Sequence, residues 1–375
     1  MNFTGLKIWI VATGLILAFC SSCRKTYQPE VISVNHNYLV VDGIINTGGD
    51  STVIKLSRTW PVNSDSIYPP EIHANVNIED ENGNLTYLQE TIPGVYVTFN
   101  SFNNVQRYRL NIFSQNGTSY KSDFVQGIPT PPIDSVSWVQ KDDGVYIYVT
   151  THDTNPSAKY FRWDFTETWQ YHAFYQSSVI YQNGSFLVRT PQQDIYNCWH
   201  TLPSTEILLG STAALSSNLL YEKPVNFIAA GTERVSIRYS ILVRQYALNQ
   251  ATYQYYELLK KNSEQLGSIF ATEPSELTGN VHNLTNPSEP VLGMLSAGDM
   301  QQQRIFISNN QLPVWDFELH GCDQIIVTPD KFDAVFGHGG YIPINQHGLT
   351  DYTGAGSSCV DCTLAGGTNV KPSFW

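Results

Sequence analysis

A strict alternation of apolar and polar positions is the feature that most constrains how this chain can fold. Over residues 235–243, every second side chain is apolar, and three of the four intervening residues are polar. A period of two indicates a β-strand with one buried face, because successive side chains point to opposite sides of the strand. Similar alternation over 108–112, 145–149 and 161–165 predicts a mainly β protein.

Turn dipeptides divide the first part of the chain into short strands. Asn82-Gly83 comes a few residues after the alternating residues 76–78, and Asn116-Gly117 comes after the alternation over 108–112. Asn-Gly favours the positive φ angles of tight hairpin turns. Short strands with regular turns are typical of antiparallel sandwiches. We therefore predict an immunoglobulin-like or transthyretin-like β-sandwich over residues 31–127.

A proline-rich stretch follows this region. Residues 127–132 contain three prolines within four positions, which stiffen the chain and remove backbone donors. We interpret the stretch as a linker to a second, sandwich-like β domain over 133–375. A crossover inside a single domain is the alternative.

One helix and a glycine-rich tail are expected inside this second domain. Residues 250–266 carry apolar side chains at helical spacing, with Asn249 placed to cap the start and Gly267 to end the helix. Its tyrosines are expected to pack on the sheet, and a ligand platform is the alternative. The segment 337–375 contains eight glycines, so we expect a long loop there, outside regular structure.

The N-terminus has the composition of an export signal with a lipid anchor. An apolar run over residues 8–19 is too short to span a bilayer, but it suits the core of a signal peptide. The small residues before Cys23 resemble the bacterial lipobox, in which the cysteine is acylated. We predict a signal peptide over 1–22 and a lipidated tether over 23–30. An ordinary cleaved signal peptide and a transmembrane span are the alternatives.

Charge and anchor together indicate the compartment and the partners. The 375 residues include 33 acidic and 21 basic side chains, a formal net charge of −12, which argues against a nucleic-acid partner. Acyl chains on Cys23 would hold the protein in a lipid bilayer. By resemblance to lipoprotein sorting rules, the lack of Asp directly after Cys23 favours the outer membrane, on its cell-surface or periplasmic face.

Four later cysteines are expected to form disulfides, because the compartment outside the inner membrane is oxidising. Four cysteines allow three pairings, and the sequence leaves all three open. The CxxC spacing of the last two also permits a redox motif or half of a zinc site, but we expect structural disulfides and no metal or other cofactor. The candidates are Cys198, Cys322, Cys359 and Cys362.

An aromatic-rich segment is the one other candidate for contact with a ligand. Its side chains could form a sandwich core, or they could form a contact surface for a partner or a glycan. The residues concerned are Trp163, Trp169, Tyr171, Tyr175 and Trp199. The sequence contains no familiar catalytic or nucleotide-binding motif, so we assign no catalytic residue.

Several short strings resemble one bacterial family. They are the C-terminal residues 359–375 (CVDCTLAGGTNVKPSFW), residues 39–43, residues 267–270, Gly279-Asn280 and residues 291–293. Together they resemble Bacteroidota outer-membrane lipoproteins that carry a domain of unknown function. Genes of that family commonly neighbour those of TonB-dependent receptors. The resemblance implies an accessory lipoprotein of a receptor or uptake system, and it supplies no catalytic residue.

The sequence therefore predicts a non-enzymatic outer-membrane lipoprotein that acts by binding a ligand or a partner. The expected partner is a TonB-dependent receptor, and the ligand, a small molecule or a glycan, is open. One alternative is a lipoprotein with a structural or assembly role in the envelope. Another is a secreted enzyme that degrades glycans or peptides.

Overall fold

A computed structural model describes residues 37–60, 69–154, 157–264, 277–315 and 321–375. Strands dominate it, so the prediction of a mainly β protein is confirmed. The first eight strands are β1 (Leu39–Asn46), β2 (Thr52–Arg58), β3 (Asn75–Asp80), β4 (Leu85–Ile92), β5 (Val95–Thr98), β6 (Arg107–Phe113), β7 (Ser119–Ser122) and β8 (Val125–Ile128). The next nine are β9 (Ile133–Lys141), β10 (Gly144–His152), β11 (Tyr160–His172), β12 (Val179–Gln182), β13 (Ser185–Val188), β14 (Asn197–Pro203), β15 (Leu208–Ser211), β16 (Leu219–Ala229) and β17 (Arg238–Leu248).

The remaining strands follow the main helix. They are β18 (Val281–Asn283), β19 (Leu292–Gly293), β20 (Ser296–Gly298), β21 (Met300–Ser308), β22 (Ile325–Val327), β23 (Tyr341–His347) and β24 (Asp351–Gly356). The α-helices of the described residues are α1 (Gln250–Glu264), α2 (Phe332–Phe336) and α3 (Ser357–Val360). Short 3₁₀ helices cover Pro191–Gln193, Glu233–Val235, Asn309–Gln311, Pro329–Lys331 and Cys362–Ala365.

The first body is a closed barrel and not the predicted sandwich. Eight strands hydrogen-bond in the circular order β6-β3-β4-β5-β2-β1-β20-β8, and β8 returns to β6. The closing strand β20 comes from a segment about 170 residues after β8 and runs parallel to both of its neighbours. The local turn pattern of the first 127 residues carries no sign of this distant strand, which explains the wrong prediction. Closure removes the exposed strand edges that an open sheet would keep.

The second body consists of two sheets that share one core. The three-stranded sheet β16-β10-β9 faces the five-stranded sheet formed by β14, β15, β11, β17 and β21. Both sheets contribute to one cluster of buried apolar side chains, including Ile147, Trp163 and Ile241. We call this body the paired sheets. The strand predicted over 235–243 begins only at Arg238, because Glu233–Val235 form a 3₁₀ turn.

The middle of the predicted linker, Thr130 and Pro131, is buried between the two bodies. Thr130 donates its backbone N–H to Asp299 Oδ1 (2.6 Å), and its hydroxyl donates to the Asp299 carbonyl (2.6 Å). The Pro131 carbonyl accepts a bond of 2.8 Å from Gln245 Nε2. After α1 the chain returns to the barrel for β18 to β20 and then re-enters the paired sheets at β21. The polypeptide therefore crosses between the bodies three times, and polar contacts fix the crossing at Thr130.

The main helix lies on the outer face of the five-stranded sheet. Asn249 caps it through its side chain, which accepts a bond of 2.7 Å from the Thr252 backbone N–H. Tyr255 and Tyr256 are buried in a cluster with residues of β15 and β17. Glu264 is the last helical residue, and the predicted end at Leu266–Gly267 lies outside the described residues.

The glycine-rich tail contains regular structure, which corrects the expectation of a long loop. β22, β24 and β23 form a small sheet, and Ile344, Ala355 and Val360 form a buried cluster beside it. A side chain at Gly354 would lie 2.5 Å from the Phe336 ring, so this glycine lets α2 pack directly on β24. A polar, glycine-rich composition is therefore compatible with close backbone packing in this segment.

A cleft between the barrel and the paired sheets

The four later cysteines form two disulfides, as predicted. Cys198 is bonded to Cys362, and Cys322 is bonded to Cys359, each with a Cα–Cα distance of 5.9 Å. The cysteines of the CxxC pattern are therefore bonded to distant partners and not to each other. No group of three or more residues in the described part of the chain has the composition and geometry of a metal site.

Most of the aromatic candidates are buried, so they do not form an open contact surface. Trp163, Trp169, Tyr171 and Trp199 are each at most 8% exposed. Trp163 Nε1 donates to Gln245 Oε1 (2.8 Å), and the Tyr171 hydroxyl donates to the Cys362 carbonyl (2.7 Å). Alternation in β11 directs these rings to the shared core, and Trp199 lies under the C-terminal tail, where it pairs with Thr368. The four side chains stabilise the fold.

Of the other predicted sites, Tyr175 lies beside a disulfide, and Cys23 lies outside the described residues. Tyr175 is half-buried, and its hydroxyl donates to the Cys322 carbonyl (2.6 Å) beside a disulfide. Cys23, the signal peptide and the tether lie outside the described residues, so acylation stays a prediction. Among the residues that the structure describes, no helix has the length and apolar character needed to cross a bilayer.

A charged cleft separates the barrel from the paired sheets. Two neighbouring cavities of about 330 Å³ and about 460 Å³ share the lining residues Asp42, Lys55, Arg162 and Asp164. Cavities between two bodies are common positions for ligand sites, and these volumes are in the range of small-molecule pockets. We call the two cavities together the interbody cleft.

Arg162 is the central side chain on the paired-sheet side of this cleft. Its guanidinium lies over the ring of Tyr246 at 5.0 Å and over the ring of Tyr256 at 4.8 Å. The Nε atom is buried and has no hydrogen-bond partner among the described residues. The side chain is nevertheless 19% exposed. Two aromatic faces therefore hold the group in place while part of it remains open to the cleft.

Asp164 is occupied by a second arginine. Arg244 Nε donates to Asp164 Oδ1 at 2.6 Å, and Arg244 Nη2 donates to the Thr166 hydroxyl at 2.7 Å. Arg162 Nη2 is 3.6 Å from Asp164 Oδ2, which is longer than a direct hydrogen bond. Arg162, Arg244 and Asp164 together carry a net positive charge.

Burial and charge act on the ionisable groups of the wall. Burial lowers the pKa of Arg162, but the charges of Tyr256, Asp164 and nearby groups outweigh burial and raise the pKa above its ordinary value. Burial, assisted by Asp164, raises the pKa of Tyr246 to about 12. Near neutral pH, Arg162 is therefore cationic and the Tyr246 phenol is neutral.

The opposite wall is the outer face of the barrel. Asp42 in β1 lies directly across from Lys55 in β2, and both side chains are exposed. They point away from the barrel core because their neighbours Val41 and Leu56 are buried inside it. Glu206, in the loop between β14 and β15, is exposed at the same cleft.

Gly293 in β19 allows the segment that returns to the barrel after α1 to pack closely against β1. β19 pairs with β1, and a side chain at Gly293 would lie 2.0 Å from the Val41 carbonyl oxygen. Gly293 also has a φ of +127°, which other residues rarely adopt. Asn280 also holds this returning segment in place. Its side-chain oxygen accepts a hydrogen bond from the Leu295 N–H (2.8 Å), and its side-chain amide donates one to the Leu295 carbonyl (2.9 Å).

Sequence reasoning missed the interbody cleft. The alternation over 161–165 places Arg162 and Asp164 on one face of a strand, and this was the available signal. An exposed polar face is the ordinary outcome of such a pattern. Only the tertiary arrangement places Asp42 and Lys55 opposite that face.

The interbody cleft and both bodies belong to a region shared with other proteins. A family profile described as Domain of unknown function (DUF4249) matches residues 24–304. The match covers most of the sequence, and the chain belongs to this family. It includes the barrel strands and every cleft residue described above, and it ends within β21. Residues 359–375, which carried part of the resemblance, lie beyond the match. A search of curated proteins found no significant match.

Proposed function

We propose that the protein is a non-enzymatic, lipid-anchored outer-membrane protein that serves as an accessory to a TonB-dependent receptor or uptake system. In this proposal Cys23 carries the acyl chains, and the folded part binds a ligand in the interbody cleft. The family match supports the assignment to a domain of unknown function, and the Bacteroidota origin and the receptor partner remain part of the proposal.

The observation that carries the proposal is the interbody cleft itself. Arg162 is held between two rings with a buried Nε that lacks a partner in the described part of the chain. This Nε is too deeply buried for a ligand to reach, but the exposed part of the Arg162 side chain lines both cavities and can donate to a ligand. A cleft with pre-positioned polar groups is suited to binding.

The disulfides support the proposed compartment. Cys198–Cys362 and Cys322–Cys359 join segments 164 and 37 residues apart. Such bonds persist in the oxidising compartments outside the inner membrane and are rare in a reducing cytosol. They agree with the export signal expected over residues 1–22.

The anchor is tested by mass spectrometry of the mature N-terminus together with membrane fractionation. We expect an acylated Cys23 and a protein that sediments with membranes. Cys23→Ser should release the protein, whereas the matched variant Cys20→Ser should leave it bound. An unmodified terminus, or sedimentation of the Cys23→Ser variant, would contradict the anchor.

The partner is tested by chemical cross-linking in intact cells, followed by purification in mild detergent. We expect a stable complex with one TonB-dependent receptor, and deletion of the gene should impair uptake of one nutrient. A deletion that disturbs many outer-membrane proteins would favour an assembly role instead. Turnover in a screen of glycans and peptides would contradict the non-enzymatic assignment.

A further inference from the structure

The interbody cleft presents side chains of both charges to a ligand. Arg162 and Lys55 supply cations, and Asp42, Asp50 and Glu206 supply carboxylates. In the described part of the chain, none of Lys55, Asp42, Asp50 and Glu206 takes part in an ion pair, and Arg162 forms one long ion pair of 3.6 Å with Asp164. The Asp164 carboxylate is already held by Arg244. Two cations and three carboxylates therefore remain available to a ligand.

This charge pattern selects among ligand classes. An anionic ligand that contacts Arg162 would be repelled by Asp42 and Glu206, and a cationic ligand would be repelled by Arg162 and Lys55. Like-charge contacts across an interface are strongly unfavourable, so such ligands are disfavoured. A ligand that carries both charges satisfies both sets of side chains.

The guanidinium of Arg162 is suited to a carboxylate. Its planar set of donors matches the two oxygens of a carboxylate, and the tyrosine rings at 5.0 and 4.8 Å already restrict its motion. Less conformational entropy is lost on binding when a group is held in place beforehand. An ammonium group, in contrast, fits the exposed carboxylates of Asp42 and Glu206.

Apolar walls lie on both sides of the charged centre. Ile44, Val53 and Met300 line the larger cavity, and Phe165 and Ile207 line the smaller one. These walls provide space for apolar side chains next to the charged termini of a ligand.

We infer that the interbody cleft binds a zwitterionic ligand of the amino-acid or short-peptide class. Arg162 and Lys55 hold its carboxylate, and Asp42 and Glu206 hold its ammonium group. The inference rests on the proposed binding function and adds the chemical class of the ligand.

Calorimetric titration of the full mature lipoprotein in detergent micelles tests this inference. The probe is the dipeptide leucyl-leucine with free termini, and its N-acetylated and C-amidated derivatives are matched controls. We expect the free dipeptide to bind, and each capped derivative to bind at least about tenfold more weakly, because capping removes one charge.

Variants assign the two ends of the ligand. Asp42→Asn should weaken binding of the free dipeptide at least about tenfold and leave binding of the N-acetylated form unchanged. Asp142→Asn, an exposed loop substitution in the paired sheets, is the matched control and should have no effect. Arg162→Gln should abolish the preference for a free carboxylate. Lys55→Ala removes the second cation proposed to hold the carboxylate of the ligand. Lys55 is exposed, so this substitution should not disturb folding.

Three outcomes would overturn the inference. Capped and free dipeptides could bind equally, the free dipeptide could fail to bind, or an acidic oligosaccharide such as oligogalacturonate could bind in its place. The cross-linking experiment on the receptor partner does not depend on any of these binding results. A chain that forms its receptor complex but ignores the dipeptide contradicts the ligand class alone, and a chain that forms no complex contradicts the proposed function.

Discussion

The barrel and the C-terminal sheet are stabilised by different means. The barrel surrounds a cluster of eighteen buried apolar residues, and its hydrogen-bonded ring has no open edge. The sheet β22-β24-β23 has a buried cluster of only three residues. Cys198–Cys362 joins its neighbourhood to β14, and Cys322–Cys359 closes a loop within it. A small core cannot offset the entropy of ordering the chain, so covalent links and surface contacts supply the difference.

The C-terminal residues illustrate the second strategy. Phe374 lies under the guanidinium of Arg304 at 3.5 Å, and Trp375 lies near Arg238 at 5.4 Å. Tyr352 stacks on Phe186 of the β12–β13 hairpin with 3.5 Å between ring centres. These pairs connect the tail to the paired sheets and to the β12–β13 hairpin through rings and cations, whereas the barrel relies on interior packing. The contrast predicts that the two regions lose stability independently.

The largest effect should come from the long disulfide. Replacing Cys198 and Cys362 by alanine removes a crosslink between residues 164 positions apart. Because the unfolded chain then gains entropy, the free energy of unfolding should fall by about 5 kcal/mol. Hydrogen exchange followed by mass spectrometry should show faster exchange in residues 341–375 and unchanged protection in β1 to β6. Faster exchange throughout the barrel would contradict the independence of the two regions.

The shorter disulfide should have a smaller effect of the same kind. Replacing Cys322 and Cys359 by alanine opens a loop with a separation of 37 residues, which corresponds to about 4 kcal/mol. Limited proteolysis should then cleave near β22 and β24 while the barrel stays intact. An equal or larger loss than for the Cys198–Cys362 pair would show that loop entropy is not the source of the stabilisation.

A buried ion pair offers the matching test for the barrel. Arg58 Nε donates to Glu71 Oε2 at 2.6 Å, and Arg58 also bonds to the Tyr120 hydroxyl at 3.1 Å. Arg58→Met leaves the Glu71 charge without its partner, which should lower the free energy of unfolding by about 3 kcal/mol. In urea titrations, the double variant with Glu71→Gln should recover part of that loss. Full stability of the single variant would contradict a structural role for the pair.

The smallest effect is a pH dependence on the barrel surface. A hydrogen bond from Arg109 is the main cause that lowers the pKa of Glu79 from 4.5 to about 2. Because the folded-state pKa is depressed, the stabilisation is present above pH 4.5 and is lost as pH falls through about 2. Solvent screening limits it to about 1 kcal/mol. The stability difference between wild type and Glu79→Gln should shrink over this range, and a constant difference would contradict the assignment.

The sequence predicts those parts of the fold that depend on neighbouring residues. The alternation over 161–165, the cap at Asn249 and the turn at Asn116-Gly117 all depend on local geometry, and each is present in the structure. Oxidation of Cys198 and Cys362 follows from the expected compartment. These features need no knowledge of distant contacts.

Features built from distant segments could not be predicted in this way. The barrel closes through Ser296–Gly298, and the interbody cleft brings Asp42 opposite Arg162, 120 positions later in the chain. The burial of Trp169 and Trp199 depends on the core and on the tail packed over β14. The alternation of apolar and polar residues does not specify which polar strand face lies opposite which other segment of the chain.

The late position of β20 has a consequence for biogenesis. During synthesis the N-terminal part of the chain emerges first, and β1 and β8 lack their β20 partner until residue 298 has appeared. Unpaired edges of this kind favour association between chains, and long-range closure is slow. A chain with this topology therefore exposes two strand edges to association for as long as its barrel stands open.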